Sequence, residues 1–214
     1  LQVREEFKAS GLQSFTGAEI LSTTGSEREE WCEAMGRELT SMLELEVIVE
    51  VPDEEVKSTR QSELLPTKVV AGIKPATESI PKTKKIRCSA CSNFDNKTFK
   101  TEALTMVQID VSLVRMMLVL AEKMGWALRT VDVETAFVRA NSPENYRKIF
   151  VRAPYLVVKS GLVKAWTVWQ LRRPLYGLRE APKFWATTRD EELKKIHVGD
   201  LRLKQSTLDS SVWA

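Results

Sequence analysis

The 214-residue chain is 43% hydrophobic and 29% charged with a formal net charge of +3, which is enough apolar material for one sizeable core. No run approaches the roughly 18 consecutive apolar residues of a membrane-spanning helix, and Arg4, Glu5, Glu6 and Lys8 stand ahead of any apolar run, unlike the order of a secretory signal. Three cysteines make no disulfide framework, so the expectation is a soluble intracellular protein, cytoplasmic or nuclear, without membrane contact.

Residues 1–25 contain Gly11, Gly17 and Gly25 among many Ser and Thr without a sustained period, and read as a mobile lead-in. Ser26 followed by Glu29 has the spacing of a capping box. Trp31, Ala34, Met35, Leu39 and Met42 then recur at helical intervals, so 27–44 is expected to be an amphipathic helix with an acidic outer face. "EVIVEV" at 46–51 is expected to be a strand ended by Pro52, and 53–65 a charged connector. "PTKVVAGIKP" at 66–75 and "TKKIRCSACSNF" at 83–94 read as two strands of a basic hairpin, joined by a turn containing Pro75 and Pro81. Val111, Val114, Met117, Leu118 and Ala121 mark a helix over 109–124, begun near Asp110 and stopped by Gly125.

An apolar strand is expected from Trp126 to Val133, turning helical at 134–137. Further strands are expected at 147–154 and 165–173, then a turn leading into a helix over 174–196, and a last apolar patch at Val212 and Trp213. This order is not a regular βαβ alternation. It predicts an α+β fold, mainly an antiparallel sheet with packed helices, and no internal repeat.

Charge is unevenly spread along the chain. Residues 1–65 hold 6 Lys/Arg against 15 Asp/Glu, whereas 66–214 hold 26 against 14; such a basic module suits a polyanion such as nucleic acid, or simply a solvated surface. Within it, Asp132 interrupts the expected strand. A carboxylate at the end of an apolar strand needs a cation, and Mg²⁺ is the hard, oxygen-seeking one, used in pairs in polymerase-type phosphoryl transfer. The plainer alternative is that Asp132 caps the short helix beginning at Glu134. Cys88 and Cys91 form a lone C-x-x-C, and a zinc site would have to draw Cys32 and His197 from distant places. Trp166, Trp169 and Trp185 suit base stacking beside Lys and Arg, or core packing.

Read in order, "SEREEWCEAMGREL", "LLPTKVVAGIKP", "KKIRCSACSNF", "LVRMMLVLAEKMGWALRTVDVETAF", "KIFVRAPYL", "VWQLRRPLYGLREAPKFW" and "LDSSVW" resemble the reverse transcriptase of copia-type retrotransposons across 26–214. The resemblance implies an incomplete right-hand polymerase fold, fingers and the first part of the palm. It implies an RNA template, a DNA primer and deoxynucleoside triphosphates as partners, and Mg²⁺ as cofactor, two ions in the intact family site. Asp132 matches the family's first metal-binding aspartate, with the carbonyl of Val133 beside the same ion. Lys85 and Arg87 match the finger residues that grip the triphosphate, Arg as a bidentate clamp and Lys as a point charge. Phe137 matches the aromatic gate beside the sugar 2′ position, and Glu180 a nucleotide-contacting position. Tyr176, Gly177, Arg179 and Lys183 fall in the turn that meets template and primer.

Two departures from the family pattern stand out. Glu180 replaces the usual Gln before Ala-Pro, setting an acceptor-only group near an anionic substrate unless Arg179 or Lys183 neutralises it. The paired carboxylates of the family's Tyr-x-Asp-Asp hairpin do not occur before Ala214, and Asp209 reads as a turn residue. The expectation is therefore a truncated RNA-directed DNA polymerase, inactive alone. The alternative is a non-catalytic retroelement remnant, at most a basic nucleic-acid-binding module.

Overall fold

The computed structural model describes residues 13–58, 64–76, 81–95 and 108–214. In chain order the elements are β1 (Gln13–Phe15), α1 (Gly17–Ser22), α2 (Gly25–Glu44), β2 (Ile48–Glu50), α3 (Asp53–Ser58), β3 (Leu64–Leu65), β4 (Thr67–Lys74), β5 (Thr83–Ala90), α4 (Val111–Met124), α5 (Ala136–Arg139), β6 (Ile149–Arg152), α6 (Tyr155–Lys159), β7 (Val168–Leu171), α7 (Ala181–Lys194), β8 (His197–Val198) and β9 (Leu201–Arg202). The chain is α+β. Two larger sheets run β1-β4-β5 and β2-β7-β6-β3, with a small β8-β9 ribbon; among the described strands β3 pairs with β6 in parallel and the other strand pairings are antiparallel.

The basic hairpin forms as its alternation requires. β4 and β5 pair along their whole length, from Thr67 opposite Ala90 to Lys74 opposite Thr83. Successive side chains on a strand face opposite ways, so Lys84, Ile86 and Cys88 share one face and Lys85 and Arg87 the other. The first face is closed by α2. Trp31 and Met35 of α2 join Ile86 and Cys88 in the core cluster with Val151, Trp169 and Leu175, and each large apolar side chain so buried contributes about 2 kcal/mol. Lys84 bridges the same two elements: its ammonium lies 3.0 Å from Glu30 and 4.9 Å from the Trp31 ring.

Several segments differ from the sequence expectation. The capping box belongs to α1, where the Thr16 hydroxyl accepts the Glu19 N–H and the Glu19 carboxylate accepts the Thr16 N–H. No side chain caps α2 at Thr24, so Ser26 and Glu29 do not make the box. Residues 13–22, expected in the lead-in, build β1 and α1 because β1 extends the hairpin sheet and Ile20 is fully buried; elements this short show no period. The charged connector yields α3 and β3, again too brief to be periodic.

The largest difference is at 126–133. The expected strand is absent, and Trp126 through Glu134 run as an exposed irregular segment with Val131 90% accessible. No strand lies beside it among the described residues, so its backbone groups have no ladder to join. The helix before it forms as read: the Asp110 carboxylate accepts the Ser112 N–H at 2.7 Å and Gly125 closes it at φ 65°. Of that helix only Ala121 is buried. Among the described residues no helix is long and apolar enough to cross a membrane.

Candidate functional site

A cleft of about 390 Å³ opens beside the hairpin, on the face of β5 away from the core. Lys85 and Arg87 enter it from β5, Lys74 from β4, and Glu38 from α2. The far wall is the segment before α5, with Asp132 and Val133, followed by Phe137 on the first turn of that helix. Tyr176 makes the floor, where its ring meets Phe137 edge-on at 6.0 Å and the Arg87 guanidinium at 5.1 Å. Contact with an aromatic face favours a cation already partly stripped of water. The wall is pinned where Thr135 takes a left-handed φ of 54°, a conformation uncommon for a β-branched residue, and where Arg139 Nε donates to the Glu134 carbonyl at 3.0 Å.

Five site residues read from sequence therefore meet around one space: Lys85, Arg87, Asp132, Val133 and Phe137, with Tyr176 beneath them. They come from segments some 45 residues apart in the chain. Glu38 was not among the residues singled out, since on the acidic face of an amphipathic helix it looks like one more solvated carboxylate. Its Oε1 accepts the Cys88 N–H at 3.0 Å. Burial raises its carboxyl above the ordinary range, and the Cys88 N–H, Arg87 and Lys85 pull the other way. Lys85 is displaced downward, first by desolvation, then by the positive charges of Arg87 and Lys74, with Glu38 and Glu134 opposing.

Asp132 is exposed, on an irregular segment rather than at the end of a strand. It does not cap the short helix, whose cap position is Thr135. Its carboxylate and the Val133 carbonyl are the hard oxygen donors at the cleft mouth, with Glu134 next in the chain. Mg²⁺ accepts one or two carboxylates together with substrate phosphates. No group of three acidic, His or Cys side chains converges among the described residues, so the donors do not fit a pair of ions.

The turn after β7 is held by the end of β5 rather than standing free. Ala90 N–H donates to the Tyr176 carbonyl at 2.7 Å, the Ser89 hydroxyl donates to the same oxygen at 3.2 Å, and the Ser92 hydroxyl donates to the Gly177 carbonyl. Gly177 adopts φ +83°, and a Cβ there would lie 2.2 Å from the Ala90 carbonyl oxygen. Its lack of a side chain thus lets two protein backbones meet. Arg179 and Lys183 are exposed.

Glu180 is only 3% exposed, and neither Arg179 nor Lys183 is its counter-charge. The Tyr146 hydroxyl donates to it, and Arg147 lies 3.3 Å away while also pairing with buried Asp95. Burial, then the hydrogen bond to Glu180, pushes the Tyr146 hydroxyl well above its ordinary range. Tyr146 and Arg147 were invisible as partners because 33 residues separate Arg147 from Glu180. Of the tryptophans considered for stacking, Trp169 is 3% exposed and Trp166 83%.

Residues 55–214, which supply the hairpin, the wall and the floor of the cleft, match the family model described as reverse transcriptase (RNA-dependent DNA polymerase). No curated protein and no solved structure matches the chain. The family match covers most of the chain and includes the cations, the cleft-mouth aspartate and the aromatic pair just described; the chain belongs to the reverse transcriptase family.

Proposed function

We propose that the chain is the fingers and first palm portion of a copia-type reverse transcriptase, and that the cleft is its pocket for an incoming deoxynucleoside triphosphate. The observation that carries this reading is the meeting of Lys85 and Arg87 with Asp132, Val133 and Phe137 around one opening. Lys85 and Arg87 are the triphosphate clamps, chemically apt because guanidinium and ammonium donors form charge-assisted bonds to phosphate oxygens. Phe137, braced by Tyr176, is the ring that would crowd a 2′-hydroxyl of a nucleotide bound in the cleft. Asp132 and the Val133 carbonyl are the groups toward which a Mg²⁺ would be drawn, where such an ion neutralises phosphate charge. Tyr176, Gly177, Arg179 and Lys183 form the template and primer side, the two cations exposed and able to reach a backbone. Glu180 acts through the buried clamp with Tyr146 and Arg147, which holds the start of α7 and with it this turn.

The donor set at the cleft supports binding ahead of catalysis. With no converging group of three acidic side chains among the described residues, no primer extension is expected from this chain on a primed RNA with Mg²⁺. Incorporation that Asp132→Asn abolishes would overturn that part of the reading. The pocket itself is tested by equilibrium binding of a deoxynucleoside triphosphate: Arg87→Ala is expected to weaken it by about tenfold, the loss of one charge-assisted contact. Equal affinity in the two proteins would sink the assignment. Phe137→Ala should narrow the preference for deoxy- over ribonucleoside triphosphate.

A further inference from the structure

Resting on the reading of the cleft as a triphosphate site, we propose that Glu38 is a positioning residue for the bound polyphosphate. It fastens the strand that carries both clamps, and its carboxylate shares the cleft with Lys85 and opposes the positive charges of Arg87 and Lys74 there. The fastening is visible in the hydrogen bonding. β4 occupies one edge of β5, and on the other edge the outward-facing Cys88 N–H is taken by Glu38 Oε1 at 3.0 Å. A helix side chain thus does what a neighbouring strand would do for that amide. One residue to each side of Cys88 along this edge, the chain is committed elsewhere: Arg87 lies over Tyr176 and Ser89 donates to the Tyr176 carbonyl.

The charge argument concerns the whole rim. Lys85 and Arg87 of β5 and Lys74 of β4 face three carboxylates, Glu38 of α2 and Asp132 and Glu134 of the wall. Asp132 and Glu134 are exposed, so water and ions screen them, whereas Glu38 is half-buried with one oxygen already engaged. Glu38 also acts on Lys85 directly, opposing the desolvation and the repulsion from Arg87 and Lys74 that push it toward the neutral amine. The same negative charge opposes an arriving polyphosphate. Glu38 therefore holds Lys85 ready at high pH and limits anion affinity at neutral pH, two effects of opposite sign that a purely structural residue would not produce.

The test is calorimetric binding of inorganic tripolyphosphate to the full chain across pH 6 to 10, for the wild type, Glu38→Gln and Glu38→Ala. Gln keeps an oxygen for the Cys88 N–H and removes the charge. Its expected profile is about threefold tighter binding at neutral pH and an alkaline fall-off moved at least about half a unit lower, the size of one through-space charge effect on a neighbouring group. Ala should show the same alkaline displacement with weaker binding throughout, because the strand loses its fastening. Amine acylation of Lys85 over the same pH series, read by mass spectrometry, reports the displacement without ligand. A Glu38→Gln profile that superimposes on the wild type overturns the role of Glu38 alone, while a wild type that does not bind tripolyphosphate overturns the pocket reading with it. Failure of both neutral variants to fold would make Glu38 a structural residue and also overturn the proposal.

Discussion

Lys85 and Glu38 carry charge at a loss of stability, and their pKa directions set its sign. Lys85 is depressed on folding, so its contribution is fully present above the ordinary lysine range and lost as pH falls through the lowered value. Glu38 is raised, so its contribution is present below the ordinary carboxylate range and lost as pH rises through the raised value. At pH 7 both groups therefore oppose folding. Lys85→Met is accordingly expected to melt higher than wild type at pH 7, with the gain gone near pH 11, and to lose triphosphate binding. A lower melting temperature at pH 7 would make Lys85 a structural residue. Arg147 behaves oppositely. It compensates buried Asp95 and Glu180 together, and Arg147→Ala should destabilise by about 3 kcal/mol or more by stranding both carboxylates. Gly177→Ala should lose about 2–3 kcal/mol in urea unfolding, since its Cβ would meet backbone and its φ is left-handed.

Among the elements, α4 shows how little local pattern says about burial. Its polar residues Ser112, Arg115, Glu122 and Lys123 gather on one side and apolar residues cover the rest, a pattern that in a globular chain usually sets the apolar side against a core. Yet Val111, Met116 and Val119 are each more than half exposed, because no described element covers them. Substitution there should barely register: Val119→Lys is expected to change unfolding free energy by less than about 0.5 kcal/mol. Ile86, 4% exposed between α2 and the hairpin sheet, is the contrast, and Ile86→Ala should lose about 3 kcal/mol. Equal urea midpoints for these two variants would contradict the packing of α2 on β5. The helix over 109–124 and the pair of hairpin strands are legible in the sequence because Asp110, Gly125 and strand alternation act between near neighbours. The 126–133 segment departs from the strand its sequence suggests because an apolar run makes a strand only when another strand is there to pair with it, and no described strand lies beside it.

On the scale of the whole molecule, the basic balance of residues 66–214 should make nucleic-acid binding phosphate-dominated. Affinity for a single-stranded RNA is expected to fall on a log–log salt plot with a slope of about −0.7 for each phosphate contacted. A flat salt series in filter binding would exclude this mode. The two larger sheets place that charge unevenly. Lys84 is drawn onto the acidic face of α2 by Glu30, while Lys85, one residue on, faces the cleft. The positive charge relevant to a polyanion is thus chosen by strand parity.

What the sequence determined alone was chemistry carried by neighbours: the basic hairpin, the helix ended at Gly125, the aspartate followed by an aromatic, and the glycine turn, each recognisable because its signal lies within a few residues. The tertiary structure decided which groups share a space. It drew Glu38 to the edge of β5, removed Glu180 from solvent into a clamp with Arg147, and left α4 uncovered by any described element. Those outcomes depend on contacts between residues 30 to 90 positions apart, and a charge or an apolar run has no fixed meaning until the fold supplies its partner and its solvent exposure.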